Sequence, residues 1–369
     1  MTVPDLDRLT LLVLCGAFAL AMIFGAVARH IRFCTMGAVT DAVQLGDWSR
    51  ARQCAAAAGS ALAGFSLLAF LGLAEPADTL YAVHHLLWLS GLVGGVLFGF
   101  GMVLASGCGS KTLIRLGGGN LKALVVVCVM AIAAFATLKG ITAVLRVNTV
   151  ERVSVALPTL AFAPELLAHA FGAEVRWLRL GLGGGLGALL LVLAWVPRGR
   201  PAAADLAGAV VIGLLVTAAW WLTGHAGLVE EHPLTLERTL IATNSGHAEA
   251  LSFATPMAYT LGWLLFFSDA NQHMTVGIAA VLGVVAGAAL HAAWQRDFRM
   301  EGFVGSGDMA HHLAGAVLMG VGGVTAMGCT IGQGLSALST LSLASFFSIP
   351  GIVGGAVLAL RYLEWRMDA

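Results

Sequence analysis

The chain has 369 residues, of which 59% are hydrophobic and 11% charged, and its formal net charge is zero. A soluble domain carries about 25% charged residues, so this composition, with a mean hydropathy of +0.88, excludes a water-facing globular protein. A neutral chain also gives no indication of nucleic-acid binding.

About nine apolar runs are long enough to cross a bilayer as helices, which takes about 20 residues each. The predicted spans cover residues 9–28, 53–73, 86–106, 121–142, 178–196, 205–222, 275–294, 309–327 and 350–364. The first is not a signal peptide, because Asp5, Asp7 and Arg8 precede it rather than a basic segment. We therefore expect an all-α polytopic membrane fold that forms a single domain over residues 1–369.

Five apolar segments are too short or too interrupted to be spans, which is typical of re-entrant helices. They lie at residues 33–45, 109–118, 155–171, 249–267 and 331–348. The segment 249–267 is long enough to cross, but Pro256 interrupts it. Non-helical backbone at membrane depth needs a covering of protein or a water-filled cavity, so these segments predict a core built around a substrate.

Basic residues cluster in alternate connections, which sets the orientation of a membrane protein. The basic connections and the C-terminal end hold Arg29, Arg32, Arg50, Arg52, Lys111, Arg115, Lys122, Arg198, Arg200, Arg296, Arg299, Arg361 and Arg366. By contrast, residues 74–85 contain Glu75 and Asp78 and neither Lys nor Arg. This bias predicts an N-terminus outside and a C-terminus in the cytoplasm.

Two copies of one motif lie far apart in the chain. Residues 97–108 and 318–329 are identical at seven of twelve positions, and both end in Gly-Cys, at Cys108 and Cys329. In the predicted orientation the helix before Cys108 runs inward and the one before Cys329 runs outward. Such inverted repeats are the common plan of secondary transporters. We predict pseudo-repeats at about 9–142 and 275–364, joined by a connecting region at 143–274.

A weaker sequence similarity relates two Arg-x-x-Arg segments that follow apolar helices. They begin at Arg29 and Arg296, and the alignment places Glu301 opposite Cys34. The three remaining cysteines, Cys15, Cys54 and Cys128, lie in plain apolar stretches and are interpreted as small hydrophobic residues. None of the six cysteines forms a CxxC pair, so we predict no metal site and no cofactor.

Each repeated Gly-Cys pair sits between a long helix and a short one. If a short helix begins there, its free N–H groups and dipole favour an anion beside the cysteine. A neutral thiol adds a large, polarizable atom and a weak S–H donor, which suits contact with a sulfur-containing anion. The predicted supporting residues are Gly107, Gly109, Ser110, Lys111, Gly328, Thr330 and Gln333.

Other interpretations of these residues stay open at this point. Gly-rich membrane sequence is also typical of close helix packing. Lys111 could extend to the membrane interface or balance the charge of a substrate, and Gln333 could orient a ligand or join two helices.

The motifs together resemble the YeeE/YedE family of sulfur-transport membrane proteins. The segments that carry the resemblance are Phe33-Cys34-Thr35, Gly-Phe-Gly-Met-Val-Leu-Ala-Ser-Gly-Cys108, Arg299-Met-Glu301-Gly-Phe303 and Met327-Gly-Cys329-Thr-Ile-Gly-Gln-Gly. The likeness extends from about residue 10 to 362. Ser106 and Met327 depart from it, because glycine or another small residue is expected before each Gly-Cys pair.

The resemblance implies a fold, an activity and a site. The fold would be an hourglass-like helical body with short helices in its waist. The activity would be uptake of thiosulfate or a related small sulfur-containing anion across the bacterial inner membrane, with Cys34, Cys108 and Cys329 as the relay. A separate TusA-like sulfur-carrier protein in the cytoplasm would be a partner.

Two other functions compete with transport of a sulfur anion. A membrane sulfurtransferase, or a selenium-related sulfur-trafficking protein, would form a cysteine persulfide and need a base beside a reactive thiol; no histidine lies near Cys108 or Cys329 in sequence. A soft-metal transporter would use cysteine and methionine ligands. The sequence shows no strong intramembrane carboxylate for proton or sodium coupling, which favours a channel-like or facilitated route.

Overall fold

A computed structural model describes residues 3–196, 201–231, 236–269 and 271–368 of the chain. The α-helices in this part are α1 (Val3–His30), α2 (Thr35–Thr40), α3 (Ser49–Phe70), α4 (Trp88–Leu104), α5 (Gly109–Gly117), α6 (Leu121–Lys139), α7 (Ile141–Asn148), α8 (Ala163–Phe171), α9 (Val175–Ala194), α10 (Ala203–Trp221), α11 (Ala254–Leu265), α12 (Val276–Trp294), α13 (Ser306–Thr325) and α14 (Leu343–Asp368). Arg198 and Arg200, used in the orientation prediction, lie outside the described residues.

Within the described residues, the β-strands form two small antiparallel pairs in the connections. Strand β1 (His85–Leu86) pairs with β2 (Val155–Ala156), and β3 (Leu228–Val229) pairs with β4 (Thr239–Leu240). Four of the connections also contain single turns of other helix types, at Asp41–Leu45, Pro76–Asp78, Val150–Arg152 and Leu222–Ala226.

Eight helical segments in the described ranges are long and apolar enough to cross a membrane. They correspond to eight of the predicted spans. The other predicted span, 309–327, forms α13, a helix of 20 residues whose first turns carry Asp308, His311 and His312. The protein is therefore an all-α polytopic membrane protein, as the composition predicted.

Several predicted re-entrant segments form helices too short to cross a bilayer. Helix α5 has 9 residues, α8 has 9 and α11 has 12. The sequence predicted that Pro256 interrupts this segment. In the structure Pro256 instead lies in the first turn of α11 and does not interrupt the helix. Proline is tolerated there because the first N–H groups of a helix have no partner within the helix.

The prediction for the last helix is wrong at its start. Helix α14 begins at Leu343 rather than at residue 350, and it contains Pro350 in its interior. The re-entrant segment predicted at 331–348 therefore ends earlier, and its helical part includes a π-helical turn at Gly332–Ala337. Neighbouring helices re-satisfy backbone groups that proline frees inside a membrane protein, so the proline does not mark a helix end here.

The two helices that carry the repeated motif, α4 and α13, cross in opposite directions. The Ser90 hydroxyl at the start of α4 donates a 2.7 Å hydrogen bond to the Thr325 carbonyl at the end of α13. Farther along, Gly101 and Gly315 face each other, and a Cβ on either would lie 2.6 Å from the carbonyl oxygen of the other. Glycine at this crossing lets the two backbones touch. The motif copies are therefore inverted relative to each other.

Polar groups gather at one end of the molecule and join the helices there. Lys122 lies 2.6 Å from Asp308, and Arg29 lies 3.5 Å from Asp297. Arg52 donates a 2.9 Å hydrogen bond to the Val196 carbonyl. These contacts join the end of α1 to the end of α12, the start of α6 to the start of α13, and the start of α3 to the end of α9. We refer to this region as the basic end.

Candidate functional site

Three long helices end in the same kind of turn, two residues before a cysteine. The residues with left-handed backbone are Arg32 after α1, Ser106 after α4 and Met327 after α13, with φ of 54°, 55° and 57°. In each turn the next N–H donates to a carbonyl five residues back, as the Gly107 N–H does to Met102 at 2.9 Å. This pairing is the Schellman ending of a helix.

Gly107 and Gly328 were predicted as supporting residues of these turns, and they differ in backbone. Gly107 does not have a positive φ, whereas Gly328 has a φ of 158°, which residues with a side chain rarely adopt. The left-handed positions are Ser106 and Met327, the two residues that depart from the family pattern. A side chain in that conformation costs about 1–2 kcal/mol, which explains why a small residue or glycine is expected there.

Each of the three cysteines begins a helical segment. Their carbonyl oxygens accept the first hydrogen bond of that segment, Cys34 from Ala38 at 3.0 Å, Cys108 from Thr112 at 2.9 Å and Cys329 from Gln333 at 2.8 Å. A residue whose carbonyl accepts this first bond while its own backbone is outside the helix is an N-cap. The cysteines therefore stand where the free N–H groups and the positive end of each dipole point.

The thiols also bind the same backbone group in each turn, the N–H three residues on. The Gly37 N–H donates to Cys34 Sγ at 3.2 Å, and the Gly332 N–H donates to Cys329 Sγ at 3.5 Å. The Lys111 N–H makes the corresponding bond to the Cys108 thiol. Cys34 thus has the same local geometry as the repeated cysteines, although no glycine precedes it.

The three turns converge in the interior of the bundle. The Cys34 and Cys108 side chains are in hydrogen-bonding contact, and Thr330, next to Cys329, contacts the Cys108 thiol. Cys34, Cys108 and Cys329 are 3%, 1% and 0% exposed. The structure therefore brings the Cys34 and Cys108 thiols together, places the Cys329 turn beside them through Thr330, and closes all three cysteines to bulk solvent in this conformation.

Lys111, in the first turn of α5, is half-buried, and its charge acts on the Cys34 thiol. The corresponding positions after Cys34 and Cys329 are Gly37 and Gly332. Among the residues that the structure describes, no carboxylate forms an ion pair with Lys111. A cation held beside two thiols without a counter-charge is suited to an anionic ligand.

The other predicted supporting residues differ in whether their polar groups already make hydrogen bonds within the protein. The Ser110 hydroxyl lies 3.4 Å from Cys108 Sγ. The Thr330 hydroxyl is buried, and within the described residues the Cys108 thiol is the one polar group that it contacts. A buried hydroxyl with only a weak thiol neighbour calls for an explanation, and a ligand between the turns would supply one. Gly109 packs against Met130 and Met257.

Gln333 has one of its two amide N–H donors committed. Its amide Nε2 donates a 2.8 Å hydrogen bond to the Ala326 carbonyl, so it ties the short helix to the end of α13. Its buried acceptor Oε1 has no partner among the described residues. Gln333 therefore fixes the turn around Cys329, and the second N–H of its amide is not used by this bond.

Two features of the site were missed or misplaced by the sequence. Cys54, interpreted as a small hydrophobic residue, contacts Thr35 beside Cys34 and is close enough to act on Cys108. The alignment of Arg29 with Arg296 is shifted by three residues, because the left-handed turn residues are Arg32 and Arg296.

Glu301 does not stand in the place of Cys34. In this register the position two residues after Arg296 is Phe298, and Glu301 accepts a hydrogen bond from Asn120 at 2.6 Å. The turn at Cys34 has a sequence signal that could have identified it. Like Cys108 and Cys329, Cys34 follows a long apolar helix by a few residues.

A cavity of about 210 Å³ opens on the side of Cys329 away from the basic end, and we call it the outer cavity. Its walls include Tyr81, Trp220, Glu249, Tyr259 and Met327. The Tyr81 hydroxyl donates a 3.0 Å hydrogen bond to the Gly332 carbonyl in the Cys329 turn. The cavity therefore ends at the cysteine turn and leads towards the convergent thiols.

Known proteins resemble this chain over most of its length. The sequence profile described as sulphur transport matches residues 30–358. A thiosulfate transporter TsuA from Escherichia coli K12 is 27% identical over 272 residues, which is 67% of this chain and 67% of that protein. A thiosulfate transporter TsuA from Spirochaeta thermophila is 24% identical over 346 residues, 91% of this chain and 95% of that protein.

Proposed function

The chain belongs to the sulphur transport family, and on that premise we propose that it carries thiosulfate through the membrane along the three convergent cysteines. Two relatives of this chain bear the name thiosulfate transporter. The family makes the protein a transporter, and a sulfur-containing anion of this size suits the polar groups that the cysteine turns provide.

The observation that carries the proposal is the meeting of three cysteine-capped helix starts. Each start offers backbone N–H groups and the positive end of a helix dipole, which favour an anion. Lys111 adds a full charge beside Cys34 and Cys108. A divalent oxyanion could therefore leave water without a surrounding ring of arginines.

Neutral thiols suit the sulfur end of thiosulfate. A thiolate would repel a dianion, whereas an S–H group is a weak donor next to a polarizable atom. The buried Thr330 hydroxyl, which contacts the Cys108 thiol, offers a stronger donor for an oxygen atom of the same ion. A site with such mixed donors binds the anion strongly enough to be occupied and weakly enough to release it, as conduction requires.

We infer a route from the outer cavity to the basic end. The anion would pass Cys329 first, then the Cys108 and Cys34 pair with Lys111, and leave near the start of α3. In the cell this route corresponds to uptake across the bacterial inner membrane, with the N-terminus outside and the C-terminus in the cytoplasm, in agreement with the Lys/Arg bias. The two inverted motif copies would form the halves of one transport domain over 1–369.

A carrier for the sulfur atom in the cytoplasm would complete the process. A TusA-like protein is the proposed partner at the basic end, as a separate chain. Its test is co-purification of the two proteins, with loss of the complex when the surface arginine Arg299 is replaced by glutamate.

Growth on thiosulfate tests the transport proposal. A bacterial strain without its own sulfate and thiosulfate uptake should grow on thiosulfate as its sulfur source when it carries this protein. Cys108→Ala and Cys329→Ala should abolish growth while the proteins still insert and purify as the wild type does. Cys128→Ala, at an exposed position, is the matched control and should grow normally. Growth of both path variants at the wild-type rate would overturn the proposal.

A further inference from the structure

The outer cavity contains a carboxylate that sequence reasoning did not identify. Glu249 lies in the irregular connection before α11 and lines the cavity together with Tyr81, Tyr259 and Ser252. Its position outside the predicted spans explains why no coupling carboxylate was found in the sequence. A negative charge on the wall of an anion route calls for an explanation, because a like charge opposes binding.

Glu249 is held firmly in place. The Ser245 hydroxyl donates a 2.6 Å hydrogen bond to Glu249 Oε1, and the Ser245 N–H donates another at 3.1 Å. The Glu249 carbonyl accepts a 2.8 Å bond from the Thr223 hydroxyl, in the π-helical turn that ends α10. The side chain is therefore not free to rotate away from the cavity when an anion enters.

The charged and titratable groups around Glu249 come from four elements. Arg146 of α7 lines the same cavity and pairs with Glu151 at 3.4 Å. Tyr81 and Tyr259 face the carboxylate from either side, and His247 lies two residues away. Burial raises the pKa of Glu249 above its usual range, although Ser245 opposes that change. The carboxyl therefore takes up a proton more readily than an exposed glutamate does.

We propose that Glu249 controls entry to the outer cavity, which admits a divalent oxyanion when this carboxyl is neutral and excludes it when the carboxylate forms. The inference rests on the proposed transport function and adds a proton-dependent step to it. In the neutral form Glu249 adds no charge to the cavity wall, where Arg146 is paired with Glu151. In the ionised form the Glu249 carboxylate repels the anion.

The pH dependence follows from the sign of this step. Glu249 loses its proton as pH rises, so anion entry should weaken with rising pH. Thiosulfate itself remains a dianion across the pH range in which a protein of this kind is stable, since its conjugate acids are strong. A change in uptake rate with pH therefore reports on the protein rather than on the substrate.

Uptake of radiolabelled thiosulfate into proteoliposomes, at equal pH inside and outside, tests the proposal. Uptake by the wild type, measured over a series of pH values, should rise as the pH falls, because Glu249 takes up a proton on the acid side and burial moves that step to higher pH than for an exposed glutamate. Glu249→Gln should be fast at every pH in the series, and Glu249→Asp should keep the pH dependence. Glu230→Gln, at an exposed carboxylate that pairs with Arg238, is the matched control and should behave as the wild type.

Three outcomes would overturn the inference. They are a flat profile for the wild type, a wild-type profile for Glu249→Gln, or no uptake by a correctly folded Glu249→Gln at any pH. Failure of the transport proposal looks different, because the wild type would then take up no thiosulfate at any pH. Purification as a single species by size-exclusion chromatography checks the fold of each variant.

Discussion

The turns at Cys108 and Cys329 share one backbone and differ in their side chains. Both follow a Schellman ending with a non-glycine left-handed residue, and both place a thiol over the N–H three residues on. At Cys108 that third residue is Lys111, and two further thiols lie close by. At Cys329 it is Gly332, whose carbonyl accepts a hydrogen bond from the Tyr81 phenol.

This difference teaches how an inverted pair can give an asymmetric route. Two identical turns would hold an anion equally well on both sides of the membrane centre. On the proposed route, a charge beside only one of them would make the Cys108 side the tighter site and the Cys329 side a weaker entrance below the outer cavity. The common backbone supplies the anion-binding geometry, and the side chains supply the asymmetry.

The largest expected effect comes from removing the charge that makes the two turns different. Lys111→Met should lower thiosulfate uptake by about tenfold or more, since a hydrogen bond to a charged group contributes about 1.5–3 kcal/mol. Lys111→Arg should retain most of the uptake. Initial rates in proteoliposomes measure the effect, and an unchanged rate in Lys111→Met would show that Lys111 serves only to reach the membrane interface.

A smaller effect is expected at the residue that joins the two turns. Thr330→Val keeps the shape of the side chain and removes a hydroxyl that contacts only the Cys108 thiol among the described residues, so uptake should fall about threefold to tenfold. The same change should leave the thermal unfolding midpoint unchanged or higher, because a buried hydroxyl with a weak partner is costly to bury. A fall in both uptake and midpoint would instead indicate that Thr330 has only a packing role.

The smallest expected effect lies in the turn itself. Ser106→Gly should stabilise the protein by roughly 0.5–1 kcal/mol. Glycine removes the free-energy cost of a side chain in the left-handed conformation, and part of that gain is lost because glycine has more conformational freedom in the unfolded chain. Ser106→Ala, which keeps a Cβ, is the control and should give no gain. Thiosulfate uptake should be unchanged in both, and a lower midpoint for Ser106→Gly would contradict the account of the turn.

Much of the site could be predicted because it depends on local pattern. The Gly-Cys pairs after long apolar helices indicated both breaks, and the Lys/Arg bias implied that α4 and α13 run in opposite directions. Arg32 could not be recognised as the turn residue before Cys34, since a Schellman ending without glycine has no sequence signal. Cys54 was missed because its proximity to Cys34 comes from the packing of α3, which no local pattern records.

Contacts between distant segments limited the rest. Glu249 lies in an irregular connection, and only the folded chain brings it opposite Tyr81 and Tyr259. The start of α14 was misjudged because Pro350 normally ends a helix in water, whereas packed helices tolerate it.

The central claim is that one anion contacts both Cys108 and Cys329 as it crosses. Its most direct test is the rate at which a small methanethiosulfonate reagent labels each cysteine, read peptide by peptide by mass spectrometry in otherwise native protein. Thiosulfate should slow the labelling of both Cys108 and Cys329 and leave the exposed Cys15 and Cys128 unaffected. Equal labelling rates at Cys108 and Cys329 with and without saturating thiosulfate would contradict the account.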